Sequence, residues 1–109
     1  MLPPGKDAAD KYYVGFFDHE ALVAVMDFVL GYPDPDVAFI GFLMVDSACQ
    51  GQGIGSQIVA DCAECWRKLG FRRIRLGVDK GNPQSGSFWK KNGFAMVGEN
   101  RYIVMEQRL

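Results

Sequence analysis

Three glycines in five positions, Gly51, Gly53 and Gly55, lie within Gln50-Gly51-Gln52-Gly53-Ile54-Gly55-Ser56, between an apolar run from Phe39 to Val45 and an amphipathic stretch continuing to about Leu69. Glycine lets a backbone turn sharply and approach another group closely, so such a loop can point several N–H groups one way. At a helix start the first amides have no intrahelical partner and the dipole is positive, which makes phosphate or pyrophosphate the natural ligand. The loop lacks the Lys-Ser/Thr pair that closes a nucleotide-triphosphatase loop, and Ser56 stands where a dinucleotide loop needs glycine. The competing reading is a plain strand-to-helix turn in which the glycines serve geometry alone.

A second candidate is Asp27, which strand periodicity puts on one side with Val23, Val25 and Val29. A carboxylate in an apolar strand is either hydrogen-bonded for structural reasons or faces a cleft where it serves as a base. Cys62 and Cys65 form a Cys-x-x-Cys, but zinc needs about four ligands and the sole histidine, His19, sits in a distant turn. The pair therefore reads as two small helix residues, and His19 as a solvated hairpin residue. No metal is expected.

The elements that must position these residues follow from pattern. Met1 to Asp10, with Pro3-Pro4-Gly5, is expected to be an extended or mobile lead-in. Tyr12 to Phe17 and Ala21 to Leu30 flank Asp18-His19-Glu20 as a hairpin, and Ala38 to Val45 follows a dense turn at 31–36 as a third, antiparallel strand. From Gly53 onward, Ile54, Ile58, Val59, Cys62, Cys65, Trp66 and Leu69 recur at three and four residues as one helical stripe, which Gly70 ends. Arg73 to Val78 alternates charged and apolar residues as a strand, parallel to the third through a right-handed crossover. Pro83 starts a short helix through Lys91, and Phe94 to Val97 and Tyr102 to Glu106 form a closing hairpin around Gly98-Glu99-Asn100. The order is β-β-β-α-β-α-β-β, an α/β class with a mixed sheet, and 109 residues make one expected domain.

Composition excludes several classes. No run of eighteen apolar residues and no charged leader with a cleavage site occurs, so neither a membrane span nor a secretory signal is expected, and the location expected is cytoplasmic. Three cysteines, Cys49, Cys62 and Cys65, are an odd count that fits a reducing compartment. The net charge is −1, but residues 1–49 carry eight acids and two bases and residues 50–109 five acids and ten bases. A basic half suits phosphates and an acidic half attracts a cation, unless both are ordinary solvated faces. Nucleic-acid binding fits poorly, with no basic–aromatic interleaving.

Gln50, Gly53 and Gly55 match Gln/Arg-x-x-Gly-x-Gly/Ala, and Asn82, Ser85 and Phe88-Trp89-Lys90-Lys91-Asn92-Gly93-Phe94 match a second block at the right spacing. Together they resemble the GCN5-related N-acetyltransferase (GNAT) family over roughly residues 11–107. The resemblance implies the acyl-CoA N-acyltransferase fold and acetyl-CoA as co-substrate. It also implies direct attack by a primary amine of a small molecule or peptide on the thioester. Gln50, Gly51, Gln52, Gly53, Ile54, Gly55 and Ser56 would hold the pyrophosphate, and Met44 and Val45 would lie along the pantetheine arm, with a backbone N–H there polarising the thioester carbonyl. Asn82, Ser85 and Phe88 would border that arm.

The family's usual general acid is a tyrosine, whereas this chain has Trp89, whose indole N–H is not an acid near neutral pH. Asp27 stands as a candidate base, and Tyr32 or Tyr102 as alternative proton donors. Family members begin with a strand and helices that ten residues cannot replace, so the chain is expected to be a naturally short or N-terminally truncated member. A homodimer that covers the exposed first strand is then expected. The alternatives are a non-catalytic CoA-binding or interaction module and a structural fragment that binds nothing.

Overall fold

The computed structural model describes residues 11–109, so the expected lead-in at 1–10 lies outside the described residues. β1 (Lys11–Asp18) and β2 (Ala21–Leu30) form an antiparallel hairpin. His19 takes the left-handed conformation at its tip, with φ 57°, and its side chain is almost wholly exposed. β3 (Val37–Val45) pairs antiparallel with β2. A 3-10 turn at Ser47–Cys49, which the sequence pattern does not reveal, leads through the glycines into α1 (Ile54–Lys68). β4 (Arg73–Val78), α2 (Pro83–Lys91), β5 (Ala95–Glu99) and β6 (Ile103–Arg108) complete the order.

The six strands run β1-β2-β3-β4-β6-β5 across one mixed sheet, so β6 returns between β4 and β5. β3 and β4 are parallel, as the crossover requires, but they pair only from Val37–Ile40 against Arg73–Leu76. Beyond Ile40 they splay, because β4 continues on β6 alone and β3 on β2 alone.

A register shift between Asp27 and Phe28 leaves Gly41 unpaired in β3. Such a bulge changes which residues share a face. Leu43 and Val45 fall on the helix side with the core, whereas Phe42 and Met44 join Val25 and Asp27 on the other face.

The helices cover one face. Ile58, Val59 and Trp66 of α1 and Trp89 of α2 pack with Phe94 against Ala24, Met26, Phe28, Ile40, Ile74, Leu76 and Met105. Phe28 meets the Trp66 ring edge-on at 5.0 Å. Each such buried side chain contributes about 1.5–3 kcal/mol relative to exposure. The helical stripe is narrower than its spacing predicts: Cys65 and Leu69 are exposed at its far end.

The closing hairpin turns later than expected. Gly98 and Glu99 belong to β5, a register shift falls between Met96 and Gly98, and Phe94 is a core residue ahead of the strand. The Asn100 side chain accepts a hydrogen bond from the Tyr102 N–H at 2.8 Å, so the turn forms around Asn100. No helix among the described residues is long and apolar enough to cross a membrane, and no group of three or more potential metal ligands occurs among them.

Candidate functional site

The splay of β3 from β4, the glycine loop and the first turn of α1 surround a cleft of about 400 Å³. Gly51 and Gly53 have φ of 81° and 78°, a conformation that side-chain-bearing residues adopt rarely, and no described residue lies within 4 Å of where a Cβ would stand. They form an open cradle. Gly53 caps α1 with no side-chain hydrogen bond, and no acid occupies the first turn, so the amides of Ile54, Gly55 and Ser56 remain free of side-chain partners and of negative charge. That chemistry suits an anion.

The loop is braced from beneath. Gln50 Nε2 donates to the Val45 carbonyl at 3.1 Å and Gln52 Nε2 to the Ala48 carbonyl at 3.4 Å. Asp46 accepts from the Ala48 N–H at 2.9 Å to hold the 3-10 turn. Gly55 has a different reason to be glycine: a Cβ there would meet the Phe88 ring at 3.2 Å, so its bareness lets α2 approach α1.

Val45, Gln50, Gly51, Gly53, Ile54, Gly55, Ser56, Ser85, Phe88 and Trp89 all line this cleft. Gln52 does not; it braces the loop. Asn82 is also outside the lining, because its side chain accepts from the Ser85 N–H at 3.2 Å as the N-cap of α2.

Met44 points to the other face of the sheet, where it is 63% exposed. Successive strand residues face opposite ways, so Met44 and Val45 cannot line the same side with their side chains. Leu43, Cys49 and Lys91 line the cleft without having been singled out. Leu43 could have been found from alternation with Val45, while Lys91 offers a cation to phosphate that its place in the second block conceals.

Trp89 is 7% exposed, with its ring edge-on to Phe88 and Phe94 at 5.0 and 5.1 Å. It serves as core and cleft wall together. Tyr32 packs edge-on against Phe39 in the β2–β3 connection, at the end of β3 opposite the cleft, so it is not placed to supply a proton there. Tyr102 lies against Gly77 and is absent from the cleft lining. Asp27 is on the opposite face, 4% exposed, with Oδ2 3.1 Å from Lys11 Nζ.

The sequence matches the acetyltransferase (GNAT) family over residues 3–94. No curated protein matches it. Among solved structures, PaiA N-acetyltransferase from Thermoplasma acidophilum, in complex with coenzyme A, superposes with a TM-score of 0.80 at 22% identity, covering 92% of this chain and 62% of that one. An acetyltransferase from Thermus thermophilus superposes at 0.86 with 25% identity, covering 94% and 66%. A Bacillus subtilis acetyltransferase in complex with CoA superposes at 0.76 with 20% identity, covering 94% and 79%. The chain thus spans less than two thirds of the length of the first two. By the match over 92 of its residues, the chain belongs to the acetyltransferase (GNAT) family.

Proposed function

We propose that this chain binds acetyl-CoA in the cleft and transfers its acetyl group to a primary amine. The observation that carries the reading is the open glycine cradle at an uncapped helix N-terminus, set beside strands that part to admit an extended chain. Loop amides hold the pyrophosphate, Lys91 adds charge, and Val45 and Phe88 line the pantetheine arm. A backbone N–H near Met44 or Val45 stabilises the oxyanion formed when the amine nitrogen attacks the thioester carbon. The C–S bond then breaks, the amine gives up a proton, and the thiolate leaves and is protonated. Proximity of the two reactants supplies much of the rate.

The coenzyme A complexes of the Thermoplasma and Bacillus proteins support the ligand, and family membership supports acyl transfer. We further propose a homodimer and a cytoplasmic location. Calorimetry with acetyl-CoA, followed by an acetylation screen over amine classes, tests the reading: binding with transfer to at least one amine is expected, and absence of binding overturns it. Trp89 favours one second reading, a CoA-binding module without catalysis, because an indole replaces the usual acid. Binding with no transfer to any amine identifies it.

A further inference from the structure

The inner end of the cleft is closed, and a strand bulge chooses one of the side chains that close it. β3 and β4 stay paired as far as Ile40 and Leu76, each 2% exposed, and part from there toward the glycine loop. Unbroken alternation from Ala38 and Ile40 would bring Phe42 and Met44 to the helix side. The bulge at Gly41 brings Leu43 and Val45 there instead. Gly41 has no room for a side chain, because a Cβ there would run into the Asp27 carboxylate. Asp27, paired with Lys11, thus packs over the bulge and confines that position to glycine.

Both walls narrow toward the same end. Going back along β3 from the loop, Val45 comes first and Leu43 lies two residues deeper, ~7 Å by strand rise. The wall formed by α2 starts at Phe88, whose ring lies against Gly55 in the first turn of α1, and continues in Trp89. Leu43 and Trp89 both line the cleft. Behind Leu43 stand the buried Ile40 and Leu76, and Trp89 is backed by the buried Phe94. Such close-packed surroundings yield little to an inserted chain.

A coenzyme A thioester whose pyrophosphate rests on the glycine loop carries its acyl group at the far end of an extended arm. That end meets Leu43 and Trp89. We propose that these two side chains limit the donor's acyl group to two or three carbons. The bulge leaves a leucine where unbroken register would put the larger phenylalanine, so a short acyl group fits and a longer one does not. The inference rests on the acetyltransferase reading and goes beyond it, since it assigns donor length to named residues. Leu43 belongs to neither of the two sequence blocks.

Calorimetry on the full chain with coenzyme A, acetyl-CoA, butanoyl-CoA and hexanoyl-CoA reads the limit without requiring turnover. Acetyl-CoA is expected to bind about tenfold or more tightly than hexanoyl-CoA, the size of an overpacking penalty, with butanoyl-CoA between them. Leu43→Ala should bring hexanoyl-CoA to within about threefold of acetyl-CoA, whereas Leu43→Met, which keeps the volume, should retain the preference. Trp89→Phe shortens the other wall and should relax the limit as well, which keeps the test decisive if Leu43→Ala fails to fold. A native chain that binds the longer thioesters as tightly as acetyl-CoA overturns the inference and leaves the acetyltransferase reading in place. So does a preference that survives in every folded variant of the two walls. A chain that binds neither coenzyme A nor any of its thioesters overturns both.

Discussion

Trp89 is held between the rings of Phe88 and Phe94, and one edge of it reaches the cleft. Replacing it by the phenol usual in the family provides a proton donor at the cost of a small cavity. Trp89→Tyr is expected to raise kcat severalfold with acetyl-CoA affinity unchanged, and to lower stability by about 1–2 kcal/mol. Steady-state kinetics with a denaturant titration checks both; an unchanged rate would show that the thiolate takes its proton from elsewhere.

Cys62 packs beside the core, and burial pushes its thiol up to about 11, with the nearby Cys65 and Asp61 adding to the rise. Cys65 is exposed. Alkylation near neutral pH should therefore modify Cys65 much faster than Cys62, which mass spectrometry of labelled peptides can read.

Lys11 behaves oppositely: its hydrogen bond and charge pairing with Asp27 raise the ammonium above its ordinary value, against the effect of burial. Because the folded value is the higher one, the pair stabilises fully below pH 10.5 and the contribution is lost as pH climbs through the folded value. Unfolding titrations on either side of that pH should show this loss in the native chain and not in Asp27→Asn.

The loop and the two helix starts solve different problems with different residues. At Gly53 the backbone is left-handed and no described residue lies within 4 Å of a Cβ there, so Gly53→Ala meets no clash with the described residues. It is expected to cost about 1–2 kcal/mol in conformational strain, and to weaken coenzyme A binding because the new methyl stands where a phosphate approaches. A larger, β-branched residue there would add strain of its own, so alanine is the cleaner probe of the site. At Asn82 the side chain caps α2, and Asn82→Ala is expected to cost about 1 kcal/mol while leaving coenzyme A affinity nearly unchanged. Thermal unfolding and calorimetry on the two variants should thus show opposite emphasis. Equal loss of affinity in both would mean that Asn82 touches the ligand.

Across the whole molecule, both edges of the sheet are strands with a free ladder side among the described residues, β1 and β5. β1 is the more adhesive, since Tyr12, Tyr13 and Phe17 are 44%, 72% and 64% exposed along it. The homodimer we propose pairs β1 with β1 of a second copy, which satisfies the edge. Light scattering at micromolar concentration should give twice the chain mass. A native chain that scatters as a stable monomer would remove this proposal.

Element types and their order were legible because they rest on local physics. Three- and four-residue spacing marked α1, Pro83 opened α2, and the glycines between a strand and an amphipathic run marked the turn into α1. What needed the tertiary structure was everything set by one-residue differences of register and by distant pairing. The bulge at Gly41 sends Leu43 and Val45 to the cleft and Phe42 and Met44 to the opposite face, and period-two alternation cannot announce its own interruption. The return of β6 between β4 and β5 depends on packing against Ile74 and Leu76 that lies about thirty residues away in the chain. The partner of Asp27 proved to be Lys11, sixteen residues earlier but on the adjoining strand. Composition names a carboxylate in an apolar strand; only the folded sheet decides which cation reaches one of its oxygens and buries the other without a partner among the described residues.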